Sequence, residues 1–307
     1  MKLYIFSPNK KAIFSDLLLS QLENNYEVIF HETPTPLLQH ADFINDIDEK
    51  VIALDPDYFD WKFTSEDIDL CKNVKAFCLQ TTSFSWMDTE HAKERGVPVL
   101  NLKGFSREAV AEFAFLLALG VARKLPLLIQ AEYKQDFIAH QGIELRGKTA
   151  GIIGLGNIGT NIAENCKGFG MKTLYWSKNT RNDKFEYREL VDLLETADVI
   201  FVTLAYNQET ATILTDELLK KMKSTSIFVS IAHKLFSENT IIEMVQNRNL
   251  YGYGTEEENG NPTKIKGNIL ILPAVAWATN ESMSANGEMW TNTILQLKKG
   301  AYLNRVN

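Results

Sequence analysis

The sequence predicts an α/β protein made of two parallel-sheet domains. Three observations carry the prediction. Short β-rich runs alternate with helical patterns along nearly all of the 307 residues, which is how a parallel sheet with crossover helices reads. The alternation stops at one long apolar helix and then restarts. The length also exceeds what a single hydrophobic core usually supports.

The first series consists of KLYIF (2–6), a helix near 14–24, YEVIF (26–30), VIAL (51–54), VKAFCLQ (74–80), a helix near 89–95 and VPVLNL (97–102). A helix from about Ser106 to Lys124 follows; it is apolar almost all the way round, so it is expected to be buried between layers or against another subunit. Its most apolar part, FAFLLALGVA at 113–122, is about half of the ~20 residues a membrane span requires. The second series begins at Lys148 and runs TAGII (149–153), KTLYW (172–176), DVIFVTL (198–204), SIFVSI (226–231), LYGYG (250–254) and NILIL (268–272). Six strands are what a full doubly wound sheet requires. A last helical stretch to about Gly300 has no strand of its own and is expected to return to the first domain.

With 45% hydrophobic and 23% charged residues, the chain has the make-up of a soluble globular protein. A net charge of -7 argues against nucleic acid and anionic membrane surfaces as partners. The N-terminal MKLYIFSPNKK has four apolar residues between Lys2 and Ser7, short of the ~7 to 15 of an export signal, so a cytoplasmic location is expected. Cys71, Cys78 and Cys166 are odd in number and lack metal-ligand spacing, and reduced buried thiols are the simplest account. His31, His40, His91 and His140 read as isolated surface residues, and no metal site is expected.

GKTAGIIGLGNIGTNIAENC places Gly154, Gly156 and Gly159 in a G-x-G-x-x-G arrangement directly after a strand and at the opening of a helix. The first glycine permits the tight turn, the second admits a pyrophosphate to the backbone, and the third lets helix and strand approach closely. With Asn157 and Ile158 between them, these residues form a Rossmann-type dinucleotide loop at a helix N-terminus. The next strand ends at Trp176, and Ser177 stands where a carboxylate would select the ribose 2'-hydroxyl of NAD. Lys178 and Arg181 follow. A hydroxyl beside two cations favours NADP(H), with NAD(H) as the alternative.

AKERGVPVLN, AVAEFAFLLALGVARKLP, GIELRGKTAGIIGLGNIG, LVDLLETADVIFVTL and NQETATILTDELLKKMK span about Lys93 to Ile231. This run resembles the D-isomer-specific 2-hydroxyacid dehydrogenase family, in particular its glyoxylate and hydroxypyruvate reductase branch. The resemblance implies a Rossmann-type doubly wound domain at 102–277, carrying a dimerisation helix. It also implies a smaller, discontinuous, flavodoxin-like α/β substrate domain at 1–101 and 278–307, closing on the first over a cleft. A homodimer is implied as well, with His140 in an arm near the partner subunit. Thr203, Ala232 and Glu256 join the cofactor site, Glu256 as the acid that meets the nicotinamide carboxamide. Thr81, Thr82, Ser83 and Trp277 belong to the substrate side, where Thr81 to Trp86 replace a glycine-rich carboxylate-binding loop.

The same resemblance implies an arginine that clamps the substrate, a histidine that moves the proton and a glutamate that tunes the histidine. This chain departs from all three. His233 stands at the arginine position, Asn261 at the glutamate position, and Ala274 at the histidine position in PAVAWAT. Alanine cannot carry a proton, and acid-base help is typically worth ~10² to 10⁴ in rate. Imidazole lacks the permanent charge and planar fork of guanidinium. The expectation is an NADP(H)-binding dimer that is silent or very slow on 2-keto acids, acting as a sensor or binding partner. The alternative is an NADPH-dependent reductase of a 2-keto acid, carbonyl or imine with His233 as proton donor. Glu258, brought inward by a shifted loop, is the other candidate for a lost group.

Overall fold

A computed structural model describes residues 1–307, which divide into two compact units: Met1–Ser106 with Thr279–Asn307, and Arg107–Ala278. Residues 102–106, which the sequence grouped with the second domain, fall in the first unit. There the Leu102 amide donates to Thr81 O at 3.0 Å and carries the chain on from its last strand.

The first unit contains β1 (Lys2–Phe6), β2 (Glu27–His31), β3 (Lys50–Leu54), β4 (Val74–Leu79) and β5 (Val99–Leu100). All pairings are parallel and the order is β2-β1-β3-β4-β5, the flavodoxin-like arrangement. The central strands β1 and β3 are buried almost throughout because helices cover both faces, hence their unbroken apolar runs. The C-terminal helix Asn280–Leu297 belongs to this unit. Fully buried Trp290 anchors it by donating from Nε1 to Cys78 O at 3.0 Å. Beside it Gln80 Nε2 donates to Asn286 Oδ1 at 3.0 Å, and Asn286 Nδ2 donates to the Gln80 backbone carbonyl at 2.8 Å.

Two sequence expectations fail in this unit. His31 and His40 are not isolated: their ring centroids lie 4.1 Å apart, and Asp42 joins them. The return from β2 through Leu37–Gln39 into Ala41–Ile44 folds residue 40 back over the strand end, a contact that linear spacing does not show. His91 is paired as well, with Nε2 2.9 Å from Asp69.

The second unit carries β6 (Thr149–Ile153), β7 (Lys172–Trp176), β8 (Glu186–Tyr187), β9 (Val199–Val202), β10 (Ile227–Ser230), β11 (Gly252–Glu257) and β12 (Ile269–Pro273). These make one parallel sheet in the order β12-β11-β10-β9-β6-β7-β8. The sheet therefore has seven strands rather than six. The extra one, β8, is two residues long and too short to show a period. The order reverses at β6, so the crevice between the β6 and β9 ends is the topological switch point where ligands of such sheets bind.

Helix Arg107–Ala122 lies against β10, β11 and helix Asn157–Gly168. Ala111, Ala114 and Ala118 on its inner face are fully buried, and their small side chains allow the close approach. Leu116 on the opposite face is 49% exposed, so the helix is not covered all round within the chain. No helix of the protein is long and apolar enough to cross a membrane. All three cysteines are free and buried, and burial pushes their thiols well above the usual range.

Candidate functional site

The glycine loop lies at the switch point. Gly154 takes φ +102°, the left-handed region that favours glycine, and its carbonyl accepts the Thr203 hydroxyl at 2.5 Å across the crevice from β9. A Cβ on Gly159 would come within 2.1 Å of Gly154 O and 2.8 Å of Thr203 Oγ1, so the helix can sit this close to the strand only without a side chain. Gly156 has open space where its Cβ would be. It caps helix Asn157–Gly168 with no side-chain acceptor for the first-turn N–H groups. Free donors, a positive helix end and open space above the middle glycine are what a pyrophosphate needs. A dinucleotide therefore fits, and Gly154, Gly156, Asn157, Ile158 and Gly159 are the residues that would hold it.

At the end of β7, Ser177 is buried while Lys178 and Arg181 are exposed. Neither cation is idle. Lys178 Nζ lies 2.6 Å from Glu209 Oε2, and the Arg181 guanidinium stacks 4.1 Å over the Tyr187 ring while donating to Ser177 O at 2.8 Å. An exposed ion pair such as Lys178–Glu209 is worth ~0 to 1 kcal/mol. Glu209, which the sequence reading passed over, places a carboxylate at this edge. It comes from the 203–212 loop, more than 30 residues away in sequence, and had no local signal.

His233, Asn261 and Ala274 occupy three different settings. His233 is exposed just beyond β10, ahead of Lys234 at φ +64°. Before it, Ser230 shapes the turn at Ala232: the Ala232 amide donates to Ser230 Oγ at 3.2 Å, and that hydroxyl donates to Ala232 O at 2.7 Å. Asn261 is exposed and its Oδ1 closes a local turn, accepting from the Thr263 amide at 2.9 Å and the Thr263 hydroxyl at 2.7 Å. Ala274 is exposed in the loop after β12 and brings no titratable group there.

Glu256 is the carboxylate the fold does build in. It is 9% exposed near the end of β11, and its Oε2 accepts the Ala276 amide at 3.0 Å, tying β11 to the loop that carries Ala274. Burial pushes its pKa up; the Ala276 N–H, nearby His233 and the Val275 N–H pull the other way. His233, more than 20 positions earlier in the sequence, acts on the Glu256 carboxyl electrostatically. Glu258 is exposed, while Glu257 pairs with Lys264 at 2.6 Å. Trp277 is 38% exposed.

In the first unit, the loop after β4 uses its own polar groups. The Thr81 hydroxyl donates to Ser83 O at 2.7 Å and accepts from Trp86 Nε1 at 3.2 Å. Thr82 O accepts from Asn101 Nδ2 at 2.6 Å. The Ser83 and Ser85 hydroxyls lie 3.4 Å apart on the exposed side with Phe84.

Known proteins agree with this geometry. Residues 115–277 match the family model described as D-isomer specific 2-hydroxyacid dehydrogenase, NAD binding domain. A glyoxylate reductase of Pyrococcus furiosus is 27% identical over 304 residues, covering 92% of this chain and 89% of its own. The glyoxylate reductase of Pyrococcus horikoshii is 30% identical over 234 residues, 70% of each chain. Among solved structures, an acyclic imino acid reductase in complex with NADPH and D-Arg superposes with a TM-score of 0.84 over 100% of both chains at 22% identity. A glyoxylate reductase from Paecilomyes thermophila does so at 0.83 over 99% of this chain and 98% of its own, at 21% identity. The glycine loop at the switch point of a seven-stranded parallel sheet, and a family match across most of that sheet, lead to one conclusion: the chain belongs to the D-isomer-specific 2-hydroxyacid dehydrogenase family, with a nicotinamide-dinucleotide-binding Rossmann domain.

Proposed function

We propose that this protein binds NADP(H) and is silent, or nearly so, in the family's reduction of 2-keto acids. The observation that carries the proposal is Ala274, which leaves the loop after β12 without a proton carrier while the dinucleotide loop keeps all three glycines. His233 offers no planar fork for a carboxylate, and Asn261 spends its side chain on a local turn. A bound nicotinamide supplies hydride transfer; this chain's residues hold it. Gly154 to Gly159 take the pyrophosphate, and Ser177, Lys178 and Arg181 take a ribose 2'-phosphate. Thr203, Ala232 and Glu256 line the nicotinamide end. The exposed apolar residues Leu116, Tyr133, Phe137 and Ile138 support a homodimer formed around helix Arg107–Ala122 and the arm that follows it, with His140 in that arm.

A second reading rests on His233, an exposed imidazole just beyond β10 that acts electrostatically on the buried carboxyl of Glu256. On this reading the protein reduces a carbonyl or imine that needs no carboxylate clamp, with His233 as donor. Fluorescence titration with NADPH and NADH, run beside NADPH oxidation with glyoxylate, hydroxypyruvate, pyruvate and simple carbonyls, separates the two. Tight NADPH binding without turnover supports the first; turnover lost in His233→Ala supports the second and overturns the first.

A further inference from the structure

The C-terminal end of β2 carries a group of side chains that the dinucleotide site does not use. His31 closes the strand, His40 follows the turn Leu37–Gln39, and Asp42 opens the next helix. One ligand atom from each of the three lies within 4.8 Å of the others. The His31 Nε2 atom is buried and has no hydrogen-bond partner; Asp42 Oδ2 is 3.2 Å away but off the line of such a bond. That is a poor hydrogen bond and a good separation for two atoms sharing a metal. Two ligands at ~2.0 to 2.1 Å from a tetrahedral centre stand about 3.3 Å apart.

The surroundings hold the rings. His31 stacks on Phe6 with centroids 4.8 Å apart, and Phe6 also meets the edge of His40 at 5.6 Å. His40 Nε2 is held by the Thr35 hydroxyl at 2.7 Å and the Tyr58 hydroxyl at 2.9 Å, and Tyr58 is itself fixed by donating to Thr33 O at 2.6 Å. Polar partners that orient an imidazole, and an aromatic wall that dries one side, are the usual support of a metal-binding histidine. Asp42 is half open to solvent, so an ion can enter and keep a water.

We propose that His31, His40 and Asp42 form a site for a divalent transition-metal ion of the zinc and cobalt class. Two imidazoles and one carboxylate suit such ions better than magnesium or calcium, which prefer all-oxygen shells. The three donors come from the end of β2, the turn and the following helix, so the ion clips the segment 32–42 to the sheet. Its role is structural.

The test uses untagged full-length protein stripped with a chelator. Titration with CoCl2 is followed by visible absorption, and ZnCl2 by competition and by thermal unfolding. One Co2+ per chain with ligand-field bands of a four- or five-coordinate site, displaced by Zn2+, is expected, together with a rise in Tm as ions bind only the folded state. Asp42→Asn and His40→Gln keep size and hydrogen-bonding ability, and each should weaken binding by about 10-fold or more. Circular dichroism reports whether each variant folds; if His40→Gln does not, the exposed Asp42→Asn alone decides. Absence of saturable binding, or affinity unchanged in Asp42→Asn, overturns the proposal.

Discussion

The carboxylate of Glu256 accepts the backbone N–H of Ala276 at 3.0 Å, so the acid at the end of β11 holds the loop in which alanine stands at residue 274. Removing the acceptor leaves a buried donor unpaired, at about 1 to 3 kcal/mol. Glu256→Ala should lower stability by that amount in urea denaturation, while Glu256→Gln, which can still accept, should cost less. The pH dependence has a definite sign. A carboxyl whose pKa is raised on folding contributes most below its unfolded value and loses that contribution as pH rises through the folded value. Relative to wild type, Glu256→Gln should therefore gain in Tm as pH rises above the ordinary carboxylate range.

The glycine loop separates packing from binding. Gly159→Ala places a methyl 2.1 Å from Gly154 O and should both destabilise the fold by ~1 to 3 kcal/mol and abolish tight dinucleotide binding. Gly156→Ala meets open space. It should leave Tm unchanged and raise the Kd for NADPH, read by fluorescence titration.

Cofactor choice should follow Ser177. Ser177→Asp places a carboxylate where the 2'-phosphate is proposed to bind and should weaken NADPH by ~10-fold or more while sparing NADH. Glu209→Gln releases Lys178 from its 2.6 Å pair and should tighten NADPH by a few-fold, an effect that fades with salt.

Restoring one chemical group should not restore the reaction. Ala274→His alone should give little glyoxylate reduction, because the family's three groups act as a unit. The triple variant His233→Arg, Asn261→Glu, Ala274→His should exceed the single one by ~10² or more in kcat/KM.

Lys50 is fully buried on β3, donating to Asp46 O at 2.6 Å and Lys72 O at 3.1 Å, with Asp46 Oδ2 at 3.7 Å. Asp46 also accepts from Tyr4 at 2.9 Å and pairs with Lys2 at 3.1 Å. Asp46→Ala strands the ammonium and should cost ~3 to 5 kcal/mol, whereas Lys50→Met should be far milder. The Asp46 carboxyl is held below its usual range despite burial, by bonds from the Asp48 amide, Tyr4 and Lys2. Its contribution is present above the unfolded pKa and is lost as pH falls through the folded one, so Asp46→Asn should flatten acid unfolding.

Much of the protein was legible in the amino-acid order because parallel strands buried on both faces are written as continuous apolar runs. KLYIF, TAGII and NILIL each fell within a residue of β1, β6 and β12. Gly154, Gly156 and Gly159 were legible too, since each answers a local backbone demand. The short β8 was not, because two residues on a sheet edge carry no periodicity. Nor were the relationships that join distant segments: Glu209 with Lys178, Glu256 with Ala276 and His233, and His31 with His40 and Asp42. Each depends on where strand ends and loops meet in space. Sequence by itself determined the sheet-forming segments, the glycine loop and the residue types at positions 233, 261 and 274, because those are local facts of hydrophobic run, backbone freedom and side-chain type. Only the tertiary structure decided which charges are paired, which acid is buried and which histidines converge, because those depend on the crossovers that bring strand ends together.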